Sequence, residues 1–169
     1  MKLENAMKVE AIDELAFYQI DAPRRAIEHD CAHRFAQLDL GEPLGRFGLS
    51  WRSPLIEPIV RLALDRQVVW IGIDQQLAAI DLKSGRVLVS LSFSAYLVQI
   101  LALSGVTAVL TETEVLLFNA SGSIRMRRGL PDLATGMVVA GGELEIDCLE
   151  GDGVNLDLQT GVLKEKCLL

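Results

Sequence analysis

The chain has 169 residues, half of them apolar, and a formal charge of −7, with a mean hydropathy of +0.31. That length supports one domain with a substantial core, and the apolar content excludes a disordered chain. The acidity argues against a nucleic-acid partner, because an acidic surface repels phosphate backbones.

The first elements in chain order are Met7–Ile12 and Leu15–Ile20, which read as a hairpin of two strands. Ala22–Leu38 reads two ways. Asp21 as N-cap, Pro23 in the first turn, and Ile27, Cys31, Phe35 and Leu38 on one face describe a helix. The sequence Asp39-Leu40-Gly41 followed by Phe47–Trp51 describes a strand, a turn and a second strand, and this favours strands for the segment before it. Residues 1–57 form an irregular first unit on this reading.

From Pro58 the pattern becomes regular. Pro58–Leu64, Gln67–Ile73, Gln76–Leu82 and Arg86–Phe93 are four short apolar strands joined by tight turns. The next four are Tyr96–Leu103, Val106–Thr111, Glu114–Phe118 and Ser123–Arg128. The last four are Met137–Ala140, Glu143–Leu149, Val154–Leu158 and Val162–Cys167. Gly85, Gly105, Gly122, Gly141-Gly142 and Gly161 punctuate these strands. Val87–Thr111 carries no charge over 25 residues, long enough to span a membrane. Ser90, Ser92, Ser94, Gln99 and Gly105 interrupt it, so buried strands explain it better and no membrane span is expected.

These units repeat. Asp81, Asn119 and Asp157 stand 38 residues apart both times, each closing an apolar run and each followed by a small turn ending in Gly85, Gly122 or Gly161. Self-similarity at this period points to stacked four-stranded antiparallel units. Gly72, Ala79-Ile80-Asp81 and Ser84-Gly85 resemble the blade repeat of quinoprotein-type β-propellers, which pairs an Ala-Leu-Asp-like triplet with a Thr-Gly turn and a later Trp. Leu91 stands where that Trp would be, so the Trp-docking contact is missing. The resemblance covers about residues 58–169 and implies fold alone; it brings no match for the ligands of the quinone cofactor, and no cofactor is expected. The fold expected is therefore all-β: a single domain with a propeller-like repeat of three to four four-stranded units (58–94, 95–131, 132–169, and a fourth if 1–57 supplies one). Three units are too few to close a ring, so an open half-propeller is one form of it.

Several residues are candidates for a site. His29, Cys31 and His33 bring the only two histidines beside a cysteine. On a strand all three share a face, and on a helix His29 and His33 are neighbours. Both residue types suit a transition metal, yet no fourth ligand is evident, so no metal is expected there. Glu143, Glu145 and Asp147 alternate with Leu144, Ile146 and Cys148, predicting an outward acidic ladder. It serves either as a charged edge strand that blocks edge pairing or as a docking face for a basic partner. From Glu143 onward seven acids face two lysines. Trp70 lies mid-strand and is expected in the core. Trp51, at a strand end before Arg52-Ser53-Pro54, is expected as an exposed interface anchor. Asp152, Asn155 and Asp157 do not match the spacing of a calcium loop, and Arg125, Arg127 and Arg128 are too few for a nucleic-acid footprint.

No nucleophile elbow, phosphate loop or metalloprotease motif is present. Three cysteines (Cys31, Cys148, Cys167), odd and sparse, argue against a disulfide scaffold and for a reducing compartment. Acidic and polar residues stand where a signal peptide needs an apolar core, so the expected location is cytoplasmic. The reading that follows is a non-enzymatic module that binds another, basic protein, in the manner of an acidic immunity or inhibitor protein. Two alternatives stay open: a small-molecule or metal-dependent enzyme at His29, Cys31 and His33, and a structural half-propeller that pairs with itself as a homodimer.

Overall fold

The computed structural model describes residues 7–166. The end of the predicted strand at Cys167 lies outside them. The elements are β1 (Lys8–Ile12), α1 (Glu14–Gln19), a single 3-10 turn (Ala22–Arg24), β2 (Arg25–Ile27), β3 (Arg34–Asp39), β4 (Arg46–Trp51), β5 (Ile59–Leu62), β6 (Val68–Ile73), β7 (Gln76–Asp81) and β8 (Val87–Ser92). They continue as β9 (Leu97–Leu103), β10 (Val106–Thr111), β11 (Glu114–Asn119), β12 (Ile124–Gly129), β13 (Ala134–Ala140), β14 (Glu143–Cys148), β15 (Val154–Asp157) and β16 (Leu163–Glu165). They build four four-stranded sheets, ordered β1-β3-β4-β2, β5-β6-β7-β8, β9-β10-β11-β12 and β13-β14-β15-β16.

Sheets two to four are antiparallel meanders, as the repeat requires. The middle strands of the second and third sheets are buried on both faces because each of these sheets is sandwiched between neighbours, whereas those of the fourth are buried on one face only. β6 (Val-Val-Trp-Ile-Gly-Ile) and β10 (Val-Thr-Ala-Val-Leu-Thr) have every residue buried, which is why they read as continuous apolar runs instead of alternating ones. Three apolar layers result. The first joins Leu38, Phe47, Leu49 and Trp51 of the first sheet to Val69, Ile71 and Ile80 of the second. The next joins Trp70 and Leu77 to Ile100, Val109, Leu116 and Phe118. The last joins Leu110, Val115 and Leu117 to Met137, Leu144, Ile146 and Leu156. The uncharged Val87–Thr111 stretch is β8, β9 and β10, and among the described residues no helix is long and apolar enough to cross a membrane.

The first sheet departs from the hairpin expected at its start. Leu15–Ile20 is not a strand: Asp13 caps α1 by accepting the Ala16 N–H at 2.7 Å, and the helix lies across the outer face of the sheet. Its Phe17 is fully buried there, with its ring centroid 5.5 Å from that of Phe35. Gly48 makes room for it, since a Cβ at that position would stand 2.9 Å from the Phe17 ring. The guanidinium of Arg25 stacks over Phe17 and Tyr18 at 5.7 and 5.0 Å. Of the two readings of Ala22–Leu38, the strand reading describes β2 and β3, separated by a loop. β2 pairs in parallel with β4, while β3 and β4 form the hairpin anticipated from Asp39. Asp39 accepts the Gly41 N–H at 2.8 Å.

The stack has two ends. The front end carries the links from one sheet to the next (52–58, 93–96, 130–133) and the turns at Asp74-Gln75, Glu112-Thr113 and 149–153. The back end carries the turns that follow Asp39, Asp81, Asn119 and Asp157. Backbone bonds knit each end across strands: Leu97 N–H to Asp74 O and Ala134 N–H to Glu112 O, both 2.7 Å, at the front, and Leu82 N–H to Gln67 O, 2.8 Å, at the back.

Candidate interaction face at the front end

Trp51 corrects the sequence reading. It is 2 % exposed and belongs to the core between the first two sheets. Its indole N–H donates to Ile56 O at 2.9 Å and the Arg34 guanidinium lies over its ring at 4.9 Å. A position at a strand end read as surface, because the covering layer comes from the next sheet in the stack.

What Trp51 does is hold up the 52–58 link. Arg34 donates to Pro54 O at 3.0 Å and pairs with Glu57 at 2.6 Å. Asp74, itself 7 % exposed, accepts the N–H groups of Arg52 and Ser53 at 3.1 and 3.0 Å. At the crest of this pinned link Leu55 is 91 % exposed. Three more large side chains stand bare on the same end: Tyr96 at 46 %, Leu133 at 44 % and Leu149 at 65 %. Asp132 fixes the last two. Its carboxylate accepts the N–H groups of Leu133 and Glu150, both at 2.6 Å, and Leu149 N–H donates to Leu133 O at 2.8 Å.

Acids surround these apolar groups. Glu57, Glu112, Asp132, Glu150 and Asp152 all lie in the front connections, where Arg52 is the exposed cation of the 52–58 link. Asp132, Cys148, Glu150 and Asp152 also line a cleft of about 260 Å³, together with Glu165 and Lys166. Burial, then the charges of Asp132 and Asp147, push the Cys148 thiol above its ordinary value. The back end carries Arg46, Arg66, Lys83 and Arg86 among its acids. The chain's negative charge is thus polarised toward the front as well as toward the C-terminus.

The acidic ladder sits on the outer face of the fourth sheet. β14 is an interior strand, flanked by β13 and β15, so the edge-protection reading does not apply. Nor are its carboxylates equally free. Asn155 donates to Glu143 at 3.2 Å, and Lys166 meets Asp147 at 2.8 Å and Glu145 at 3.6 Å. Asp147 stays exposed and lies nearest the front end.

His29, Cys31 and His33 occupy the loop between β2 and β3, also at the front. Their strand-face alignment is not realised: Cys31 N–H donates to His29 Nδ1 at 3.1 Å in a turn, and His33 N–H donates to Trp51 O at 2.9 Å. Among the described residues no group of three His, Cys, Asp or Glu side chains is placed to hold a metal.

Leu55, Tyr96, Leu133 and Leu149 were not singled out in the sequence. A signal existed: Leu55, Tyr96 and Leu133 recur at intervals of 41 and 37 residues, close to the repeat period, in three successive links.

Comparison with protein-family models finds no match, and comparison with curated proteins finds none either. Solved structures do match. Sqt1 of Saccharomyces cerevisiae aligns with a TM-score of 0.57 at 16 % identity, over 94 % of this chain and 48 % of that one. AztD of Citrobacter koseri gives 0.54 at 12 % identity, over 80 % and 42 %. The WD40 domain of Neurospora crassa Pan2 gives 0.51 at 12 % identity, over 67 % and 40 %. The chain therefore has the β-propeller fold, as its blade repeat implied, and spans less than half the length of these structures. Its four sheets are the blades. Among the described residues the apolar layers join the first sheet to the second, the second to the third and the third to the fourth only, so the arc is open.

Proposed function

We propose that this protein is a non-enzymatic protein-binding module that engages a basic partner through its front end. The observation that carries the reading is the coincidence there of bare, rigidly held apolar side chains with a surround of carboxylates. Buried apolar anchors supply most of the free energy of an interface, and rim charges steer a partner of opposite sign and speed its arrival. Leu55 on its pinned link is the anchor, Leu133 and Leu149 form a second contact, and Asp147 extends the acidic surface onto the fourth sheet. An inhibitor or immunity role against a basic protein, exercised in a reducing cytoplasm, is the form of this activity that the charge favours.

Pairing of two half-rings into a closed propeller is less well supported. α1 and Phe17 occupy the outer face of the first sheet, where a further blade would pack. The outer face of the fourth sheet is lined by Glu143, Glu145, Asp147 and Asn155.

The test is capture of native partners by the protein and by its Leu55→Asp/Leu149→Ser variant, with identification by mass spectrometry and affinity measured on the recombinant partner. A basic protein should bind the parent and lose at least about tenfold in affinity to the variant, the effect of removing one or two hot-spot contacts. Association should slow as salt rises, with screening over about 8 Å at physiological ionic strength. A partner that binds both proteins equally, with no salt dependence, would reject the front end as the interface.

A further inference from the structure

At the back end, three turns from two blades enclose a groove of about 470 Å³. Leu40, Pro43 and Leu44 come from the β3–β4 turn, Leu82 and Lys83 from the β7–β8 turn, and Arg66 and Gln67 from the β5–β6 turn. The two turns of the second blade are tied by Leu82 N–H donating to Gln67 O at 2.8 Å, and the Leu44 side chain of the first blade lies beside Gly85 of the second. Arg24 donates from below to Leu44 O, holding the β3–β4 turn in place. The groove is a gap between the two blades with apolar walls from Leu40, Pro43, Leu44 and Leu82.

Its rim carries Arg66 and Lys83 on one side and Glu42 on the other. None of the three has an ion-pair partner among the described residues. Arg66 also holds a left-handed backbone (φ 59°), a conformation that costs a side-chain-bearing residue and that glycine adopts freely. An arginine occupies a turn position that glycine fits better, and it is one of the residues that line the groove.

We propose that this groove binds an apolar carboxylate: a ligand with an acyl or aryl body and one anionic head. The body lies between Leu44 and Leu82, where it loses contact with water, and the head meets Arg66 and Lys83, the two cations among the lining residues. The volume is within the range of small-ligand sites, which combine apolar walls with a few convergent polar groups. The site is independent of the front-end interface, which lies at the opposite end of every strand.

Octanoate is the probe, titrated calorimetrically against the intact protein, with octanol and octylamine as matched controls. Octanoate should bind saturably at one site per chain and the two controls more weakly. Arg66→Gly removes the cation and relieves the backbone, so the variant folds, and it should weaken binding about fivefold, the scale of an exposed charge pair. Lys83→Ala should do the same, and Glu42→Gln should tighten binding. Equal affinity for octanoate and octylamine, or an unchanged affinity in both Arg66→Gly and Lys83→Ala, would overturn the proposal. So would a groove filled by a second copy, seen as a concentration-dependent dimer that Leu44→Ser dissociates.

Discussion

The outer faces of the first and fourth sheets differ. The first is finished by packing: α1 lies across it, Phe17 fills the space over Gly48, and Arg25 covers the two aromatic rings. That of the fourth is polar: it presents carboxylates, two of them paired with Lys166 and Glu143 hydrogen-bonded by Asn155. A polar outer face keeps a sheet without a packed neighbour compatible with water. Here the fourth sheet has such a face and the first carries a cover. The difference predicts where stability resides: the N-terminal cover should be worth several kcal/mol and the C-terminal ion pairs very little.

Phe17→Ala should show the largest effect. Deleting a fully buried ring costs about 3–5 kcal/mol, read as a lower denaturant midpoint. A loss below about 1 kcal/mol, the size of a surface change, would mean that α1 decorates the first sheet without sealing it. Gly48→Ala comes next. The added Cβ would press on the Phe17 ring edge, costing about 1–3 kcal/mol by overpacking. In the Phe17→Ala background the same substitution should cost much less, so a double-mutant cycle isolates the contact.

Lys166→Ala should be milder, at about 0–1 kcal/mol, because exposed ion pairs gain little. Its pH dependence has a definite sign. The hydrogen bond to Asp147 holds the Lys166 ammonium above its ordinary pKa. Its contribution is therefore present below the usual lysine range and lost as the pH rises through and beyond it.

The smallest effect is local. Asp81 is held below the ordinary aspartate value, first by the Ser84 hydroxyl and then by the Lys83 N–H, and Asp157 by the N–H groups of Thr160 and Gln159. Such contributions are complete above the usual aspartate value and disappear as the pH falls through the depressed one. Asn119, at the matching position of the third sheet, cannot titrate there. Amide exchange at Lys83, Gln159 and Thr160, corrected for intrinsic rates, should lose protection in acid while the Ala120–Gly122 turn does not. Equal loss at all three turns would show global acid unfolding instead.

The sequence by itself determined the repeat and hence the blades of the second, third and fourth sheets. Turn residues and apolar runs are local signals, and Asp81, Asn119 and Asp157 with their glycines announce each turn before any long-range contact is considered. Strand against helix was decidable where the run was short and flanked by turns, as at Val106–Thr111. It failed at Leu15–Ile20, where an amphipathic six-residue stretch fits either element and the cap from Asp13 and the hollow at Gly48 decide. Only the tertiary structure could bury Trp51, because its cover comes from β5–β8 and from the Ile56 carbonyl. It alone could show β14 as an interior strand and gather Leu55, Tyr96, Leu133 and Leu149 with the acids of separate links on one end. Those residues are scattered along the chain, and alternate turns fall on opposite ends only once the strands are paired. Local chemistry therefore wrote the elements, and the stacking of sheets distributed charge and exposure between two faces that no local pattern records.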